Sequence, residues 1–440
     1  MDKPVNPYAP VRRPKALPAG KDDSSRKQPL FPLEFWVCFV SFSMLSLSSL
    51  WGTLAIVGFL APWGLIVLRQ SQNVQRGILK NWPLLLLPTL VIVSTAWSDE
   101  PRSSLRGGVE EAVTIAIGIM AGYCIKPKTL IAALLSMLIL IAVACLVAGH
   151  EEIISTTGEH AFAGIFGSKN AFAGMMSLLL LVSVAVYLDK EQPRFFRAAA
   201  VAGILFTPIL IYHGRSLDAI LSASFAITVF LIVRFLRRYT PRTRLFVCAL
   251  IVLIGLSVTL VASFTEFDTG SVLHFMGKDS SLTGRTLIWK RGLQAAAERP
   301  LLGYGVFWRL NNPKAQQIWY ETRVPAGSGL GFHSEYIEAL VDYGILGLTL
   351  VLAYFYVLTK RAIKGVLGTM SAEQNFAFIL FVFYIIRTPV EVGLFGQFNM
   401  GTILFCIMWI YLRQLKVPAK GTNLLLNRVD YPRKNKATAY

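Results

Sequence analysis

Charge is scarce in this chain. Of its 440 residues only 15% are Asp, Glu, Lys or Arg, against 54% hydrophobic, and the mean hydropathy is +0.54. A soluble domain carries about 25% charged residues, so a water-soluble enzyme is excluded and length says nothing about domain count. Cysteine is scarce too. Cys38, Cys124, Cys145, Cys248 and Cys406 all lie in or at the ends of apolar runs. That disfavours a disulfide framework, and there is no C-x-x-C pair. The histidines (His150, His160, His213, His274 and His333) are scattered without His-x-x-x-His spacing, which speaks against a metal site. Short alternating strands are missing, so the apolar material reads as helix and not as a barrel. No small-x-small site clearly follows the first apolar run near Leu30, which reads as a retained span and not a cleaved signal.

What is present is a series of long apolar runs. Each span needs roughly 20 apolar residues. The runs fall near 31–49, 51–68, 82–98, 107–125, 129–149, 170–188, 198–213, 217–236, 244–263, 334–359, 373–394 and 398–413. The expected fold is all-α: a polytopic transmembrane helical bundle of about 12 spans with one long external loop that contains short helices. Residues 1–29 form a basic, disordered tail, 30–263 the first nine spans, 264–332 the long loop, 333–415 the last three spans, and 416–440 a second basic tail.

The formal net charge of +18 invites a nucleic-acid reading, but its distribution opposes one. Most of the 43 Lys and Arg residues sit in the two tails and in alternate connections. That is the positive-inside pattern, favoured by the anionic inner leaflet. Both termini are then cytoplasmic, and the 264–332 loop is on the outer side. Within that loop, Thr283–Glu298 reads as an amphipathic helix with Leu287, Ile288, Leu293 and Ala297 on one face, ended at Arg299-Pro300.

Charges inside or at the ends of spans are costly and mark functional candidates. Here they gather at the outer ends: Glu110 and Glu111, Lys169, Arg215 and Asp218, Glu335, Glu338 and Asp342, Arg387 and Glu391. Glu335, Glu338 and Asp342 form one helical stripe, either a hydrogen-bonded cavity wall or a participant in chemistry. Arg387 and Glu391, four apart, read as an internal ion pair or as part of a site. Arg215 follows Tyr212-His213-Gly214 in a short connection. It either pairs with Asp218 or binds an anion, for which a planar, always-charged guanidinium is suited. Arg285 follows the same logic, or is an ordinary loop residue. His333 stands at a loop-to-span junction beside carboxylates, as a general base or as a packed structural histidine.

At these residues the chain resembles the O-antigen ligase/Wzy-type polymerase superfamily. Within it the chain looks most like the exopolysaccharide polymerases of the ExoQ type. The resemblance rests on an ordered set of pieces: Gly164-x-Phe166-x-x-Lys169-Asn170, Gly214-Arg215-Ser216, Gly284-Arg285 through Trp289, Pro300-Leu-Leu-Gly-Tyr-Gly305, and His333-x-x-Tyr336 running into Gly344-Ile-Leu-Gly347. It covers roughly residues 30–415. Ser334 stands where the family often has Asn after the loop histidine.

The resemblance implies a metal-independent, inverting glycosyltransferase with no cofactor, acting on an undecaprenyl-diphosphate-linked oligosaccharide at the periplasmic face of the inner membrane. A polymerase joins one lipid-linked repeat unit to another. A ligase moves the glycan to lipid A-core. Chain-length-determinant and export proteins are partners such an activity accommodates, and nucleic acid is not. Arg215 and Arg285 would hold the leaving diphosphate, with Arg387 as a third candidate and Lys169 as a point charge. His333 would deprotonate or orient the acceptor hydroxyl, with Glu335 or Glu338 positioning it, and Asn170 and Tyr336 complete the expected substrate-binding set. A transporter or flippase is the alternative from another class, but its path should carry polarity through the midplane, and here the unusual charges lie at one end.

Overall fold

The computed structural model describes residues 29–153, 160–244, 246–247, 250, 285–306, 308, 311–321 and 331–413. Helix dominates: α1 (Leu33–Ser46), the single turn α2 (Ser48–Trp51), α3 (Thr53–Lys80), α4 (Leu86–Val93), α5 (Pro101–Cys124), α6 (Pro127–Ala148), α7 (Lys169–Leu188), α8 (Arg194–His213), α9 (Leu217–Leu236), α10 (Arg285–Glu298), α11 (Pro313–Glu321), α12 (Glu335–Leu367), α13 (Ala372–Arg387) and α14 (Met400–Arg413). The connection after α6 is not plain loop. It folds into an antiparallel hairpin of β1 (His150–Ile153) and β2 (His160–Gly164), a small departure from an all-α expectation. The tails, the run at 251–263 and the loop stretch 264–284 lie outside the described residues.

Among the described residues, six helices are long and apolar enough to cross a membrane: α3, α6, α7, α8, α9 and α12. The expected count of about 12 spans is therefore supported only as a multi-span bundle. Of the other expected runs, 251–263 lies outside the described residues, and α5 has 24 residues but carries Arg102, Arg106, Glu110 and Glu111. The described parts of α1 and α14 have 14 residues each, about 21 Å of helix against a hydrocarbon core of about 30 Å. α14 is at the centre of the bundle, with every residue from Met400 to Leu412 buried. It lies against α5, where Gly118 and Gly122 make a small-xxx-small notch. A Cβ on Gly118 would stand 2.8 Å from that of Cys406, so only glycine lets the two helices approach this closely. Around this pair α1 packs on α3 and α6, α7 on α8, and α9 on α13.

Where α9 and α12 close, a basic residue also does structural work. Arg244 donates to the carbonyls of Val366 (3.2 Å) and Gly368 (3.0 Å) at the close of α12 and to Leu236 (3.1 Å) near that of α9. A cation there complements the helix dipole.

At the outer end, the two glycine-bearing motifs prove to be two sides of one contact. α12 breaks at Gly344, whose φ is +65°. The segment Pro300–Gly305 docks into the break: Ile345 N–H donates to Pro300 (2.8 Å), Tyr304 N–H to Val341 (2.9 Å) and Gly305 N–H to Asp342 (2.8 Å). A Cβ on Gly344 would meet the backbone carbon of Leu301 at 2.3 Å, and one on Gly303 (φ +66°) would meet Val341 O at 2.5 Å. α10 then lies against α12 over a separate apolar cluster that includes Ile288, Ala295, Trp308, Trp319 and Phe332. The buried face of α10 is Ile288, Gly292, Ala295 and Ala296, whereas Leu287, Leu293 and Ala297 are exposed. The helix was expected, but its inward face is rotated, because Gly292 sits under the Phe332 ring, 2.8 Å from where a Cβ would stand.

Gly344→Ala combines a left-handed backbone with a backbone clash. It should destabilise the purified protein by about 1–3 kcal/mol, read as a lower thermal midpoint in detergent. Gly64→Ala in α3, where an added Cβ meets nothing within 4 Å, should not lower it.

Candidate functional site

At one end of the bundle, α7, α9, α12 and α13 converge on one carboxylate, Glu391. It lies in the connection 388–399, beyond the end of α13 at Arg387. Glu391 Oε1 is 3.0 Å from His333 Nδ1. Glu391 Oε2 accepts from Arg285 (3.2 Å) and from Asn170 Nδ2 (3.1 Å). Arg285 also donates to the carbonyl of Val390. Three segments far apart in sequence are thereby tied by one side chain that is nearly fully buried.

A second layer fixes Asn170 and Arg387. Ser216 donates to Asn170 Oδ1 (3.0 Å) and also contacts Asp218. Arg387 donates to the Asn170 carbonyl (3.1 Å) and pairs with Asp218 (3.5 Å). The guanidinium fits because α7 has Gly174 beside it, where a Cβ would come within 2.4 Å of Nη1. The expected Arg387–Glu391 ion pair is thus replaced: Arg387 turns to Asp218, and Glu391 turns to His333 and Arg285. Likewise Asp218 is held by Ser216 and Arg387. Arg215 occupies the α8–α9 connection, exposed.

Two of the residues singled out by their chemistry carry strained backbone. Arg215 has φ +45° and His333 has φ +51°, in a region that non-glycine residues seldom adopt. Such outliers persist when their surroundings over-determine them and concentrate at functional sites. The surroundings of His333 are visible: Trp289 Nε1 donates to the Phe332 carbonyl (2.8 Å), the Phe332 N–H donates to Glu338 (2.9 Å), and the Phe332 ring is buried in the outer cluster.

The electrostatics assign the histidine proton. Burial pushes the Glu391 carboxyl up, but the hydrogen bond and charge of His333, with the charges of Arg285 and Arg387, outweigh it and hold it below its ordinary value. An ionised carboxylate only accepts, so Nδ1 carries the proton donated to Glu391. A neutral His333 then has its lone pair on Nε2, the tautomer a general base needs.

Glu335 and Glu338 accept from backbone N–H groups on either side of the clasp. Glu335 accepts from the N–H groups of Gly393 (2.7 Å) and Leu394 (2.5 Å) and so holds the 388–399 strap on α12. Glu338 holds Phe332. Asp342, third in the stripe, accepts from Trp308 Nε1 (3.1 Å). Tyr336 lies 3.3 Å from the hydroxyl of Thr388. Lys169 opens α7, its N–H donating to Glu152 of the hairpin (3.1 Å).

Beside the clasp is a cavity of about 520 Å³. Arg387, Glu391 and Glu335 are at its polar end, and Leu45, Met175, Leu178 and Phe383 are among its apolar wall. A second cavity, of about 360 Å³, lies across the strap and shares Glu335 and Gln397 with the first. The site can therefore offer a fixed imidazole and guanidinium groups next to a part-apolar chamber. Sequence reasoning gave Glu391 and Asp218 no named role in binding or chemistry. Their signal was a charge at a span end, and their partners here lie on distant segments.

The class these features define is a multi-span helical membrane protein with its polar site at one end of the bundle, and comparison with known families agrees. A family model described as O-antigen ligase matches residues 200–352. Among individual proteins, the chain is 26% identical over 371 residues to the exopolysaccharide production protein ExoQ of Rhizobium meliloti (strain 1021), covering 83% of this chain and 84% of that one. The resemblance drawn from the motifs is thus supported on both counts. The family match contains Arg215, Arg285 and His333. Lys169, Asn170, Arg387 and Glu391 lie outside it, joined to the others by tertiary structure.

Glu391→Gln keeps the size of the side chain and removes its charge. Because the folded carboxyl lies below its ordinary value, its stabilising contribution is complete above that range, about pH 4.3. It is lost as pH falls through the depressed value. The difference in thermal midpoint between wild type and Glu391→Gln should therefore hold steady near pH 5–6 and shrink below about pH 4.

Proposed function

We propose that this protein is a membrane glycosyltransferase that polymerises undecaprenyl-diphosphate-linked oligosaccharide repeat units into exopolysaccharide or O-antigen at the periplasmic face of the inner membrane. The observation that carries the reading is the Glu391 clasp, which joins His333 and Arg285 beside a chamber with an apolar wall and an arginine at its polar end. That combination suits a donor that is apolar at one end and a diphosphate at the other. The similarity to the exopolysaccharide production protein ExoQ supports the polymerase assignment.

In the proposed reaction the acceptor hydroxyl oxygen attacks the anomeric carbon of the donor sugar. The new glycosidic bond forms as the bond from that carbon to the phosphate oxygen breaks, and the lipid diphosphate leaves. A single displacement inverts the anomeric configuration. His333 Nε2 takes the acceptor proton, and Glu391 stabilises the resulting imidazolium. Arg215, Arg285 and Arg387 neutralise the charge that grows on the leaving diphosphate, the kind of interaction that contributes most to such catalysis. Lys169 adds a point charge at the start of α7. Asn170, Glu335, Glu338 and Tyr336 keep the loops in register around the substrate. Metal and nucleotide sugar have no part in this scheme.

Ligation is the second reading, favoured by the description of the matching family, O-antigen ligase. The two differ only in acceptor: another lipid-linked repeat unit for a polymerase, lipid A-core for a ligase. A transporter is disfavoured because the charged cluster sits at one end of the bundle and not along it.

The test is the lipid-linked and secreted glycan profile of a null strain, complemented with wild type, His333→Ala or Arg285→Lys at matched membrane expression. A polymerase predicts single repeat units in place of polymer, restored only by wild type. His333→Ala should lower activity by about 10²–10⁴-fold, and Arg285→Lys by about 10²-fold, since an ammonium does not reproduce the planar fork. Long chains retained on the lipid carrier would mean a ligase. Full rescue by both variants would refute the assigned site.

A further inference from the structure

α10 has three faces, and the described residues account for two of them. Ile288, Gly292, Ala295 and Ala296 pack inward. The polar face is tied to α11, with Arg291 paired to Glu321 (2.6 Å) and Glu298 to Lys314. The third face is apolar and open. It runs as one groove from Trp289 through Leu293 and Ala297 to Pro300, Leu301 and Ile345. Leu293 is 51% exposed, Leu301 68% and Ile345 49%. Lys290 borders it. An apolar stripe edged by Trp and Lys, with charges on the opposite side, is the composition of a helix lying in a membrane interface.

We infer that this face is covered by the outer leaflet of the bilayer, and that α10 is an interfacial anchor that sets the depth of Arg285. Continuity argues for lipid over another protein. Pro300 and Leu301 dock at the Gly344 break of α12, a membrane-crossing helix. Directly beyond the break, Ile345 and Leu346 are exposed, and exposed apolar side chains continue down α12 at Leu352, Tyr356 and Ile363. The groove on α10 is thus the outward extension of a lipid-facing surface. Its polar partner α11 lies on the opposite flank, toward water. Arg285 is the first residue of α10, and its guanidinium reaches the strap through Val390 and Glu391. Anchoring the helix along the interface holds that guanidinium at the level where a lipid-borne phosphate leaves the hydrocarbon. This role for Arg285 rests on the function proposed above, but the depth of α10 does not.

The test uses the full-length protein in lipid nanodiscs, with an environment-sensitive fluorescent amino acid introduced at position 293, 301 or 317 in separate variants. Spin-labelled lipids should quench positions 293 and 301 at least threefold more than position 317, with iodide showing the reverse order. Equal iodide quenching at all three positions would overturn the proposal, as would protection of 293 and 301 from both quenchers, which would mean a protein cover. In the complemented null strain, the double variant Leu293→Lys/Leu301→Lys should lower polymer yield at least tenfold while staying in the membrane, and Leu293→Trp/Leu301→Trp should retain it. Polymer unchanged by the double lysine variant would refute the depth-setting role even if the quenching order held. Because quenching needs no substrate, its result stands whether or not the polymerase reading does.

Discussion

One buried carboxylate organises the outer end of this molecule. Glu391 accepts from an imidazole, a guanidinium and an amide that belong to three distant stretches of chain. Burying a carboxylate is expensive unless its charge is met, and here the cationic partners are sufficient to keep it ionised. The same charge balance makes the site directional. It orients His333, holds Arg285 against the strap and draws Asn170 into a network with Ser216 and Arg387. If Glu391 were neutral, the imidazole would lose the partner that selects its tautomer, and the arginine would be left half-buried without a counter-charge.

The rest of the outer architecture keeps that clasp in place. The strap 388–399 is tethered to α12 by Glu335, through the N–H groups of Gly393 and Leu394. The segment before His333 is pinned by Trp289, Glu338 and the cluster around Phe332. That cluster stays on the bundle because Pro300–Gly305 fits the notch at Gly344, where two backbones touch and no Cβ is tolerated. Carboxylates that invite a catalytic reading are therefore mostly acceptors for backbone and indole N–H groups. They fix geometry, and in the proposed reaction the chemistry falls to the imidazole and the arginines.

Much of this was legible in residue order. Long apolar runs forecast the helices α3, α6, α7, α8, α9 and α12, because periodicity and length carry that signal directly, but α3 and α12 run on past the expected ends at 68 and 359 into polar sequence. The break at Arg299-Pro300 correctly ended α10. The inward face of α10 was misread because Leu293 and Ala297 look like core by hydrophobicity alone, and a water-facing rule does not tell protein interior from lipid. The site residues were recognisable as costly charges. Their pairings were less so, since proximity in sequence suggested an Arg387–Glu391 ion pair. Glu391 N–H does donate to the Arg387 carbonyl (2.9 Å), yet the guanidinium turns to Asp218 and the carboxylate to His333 and Arg285.

Taken alone, the sequence determined that the chain is a helical membrane protein and which scarce polar side chains are candidates for chemistry. Those properties follow from composition and local spacing, which need no knowledge of neighbours. Tertiary structure alone decided that Glu391 is the common partner of His333 and Arg285, that Glu335 and Glu338 accept from backbone N–H groups, and that α14 packs at the centre of the bundle. Each of these depends on which distant segments meet, and a buried charge takes whichever partner the fold brings within hydrogen-bonding distance.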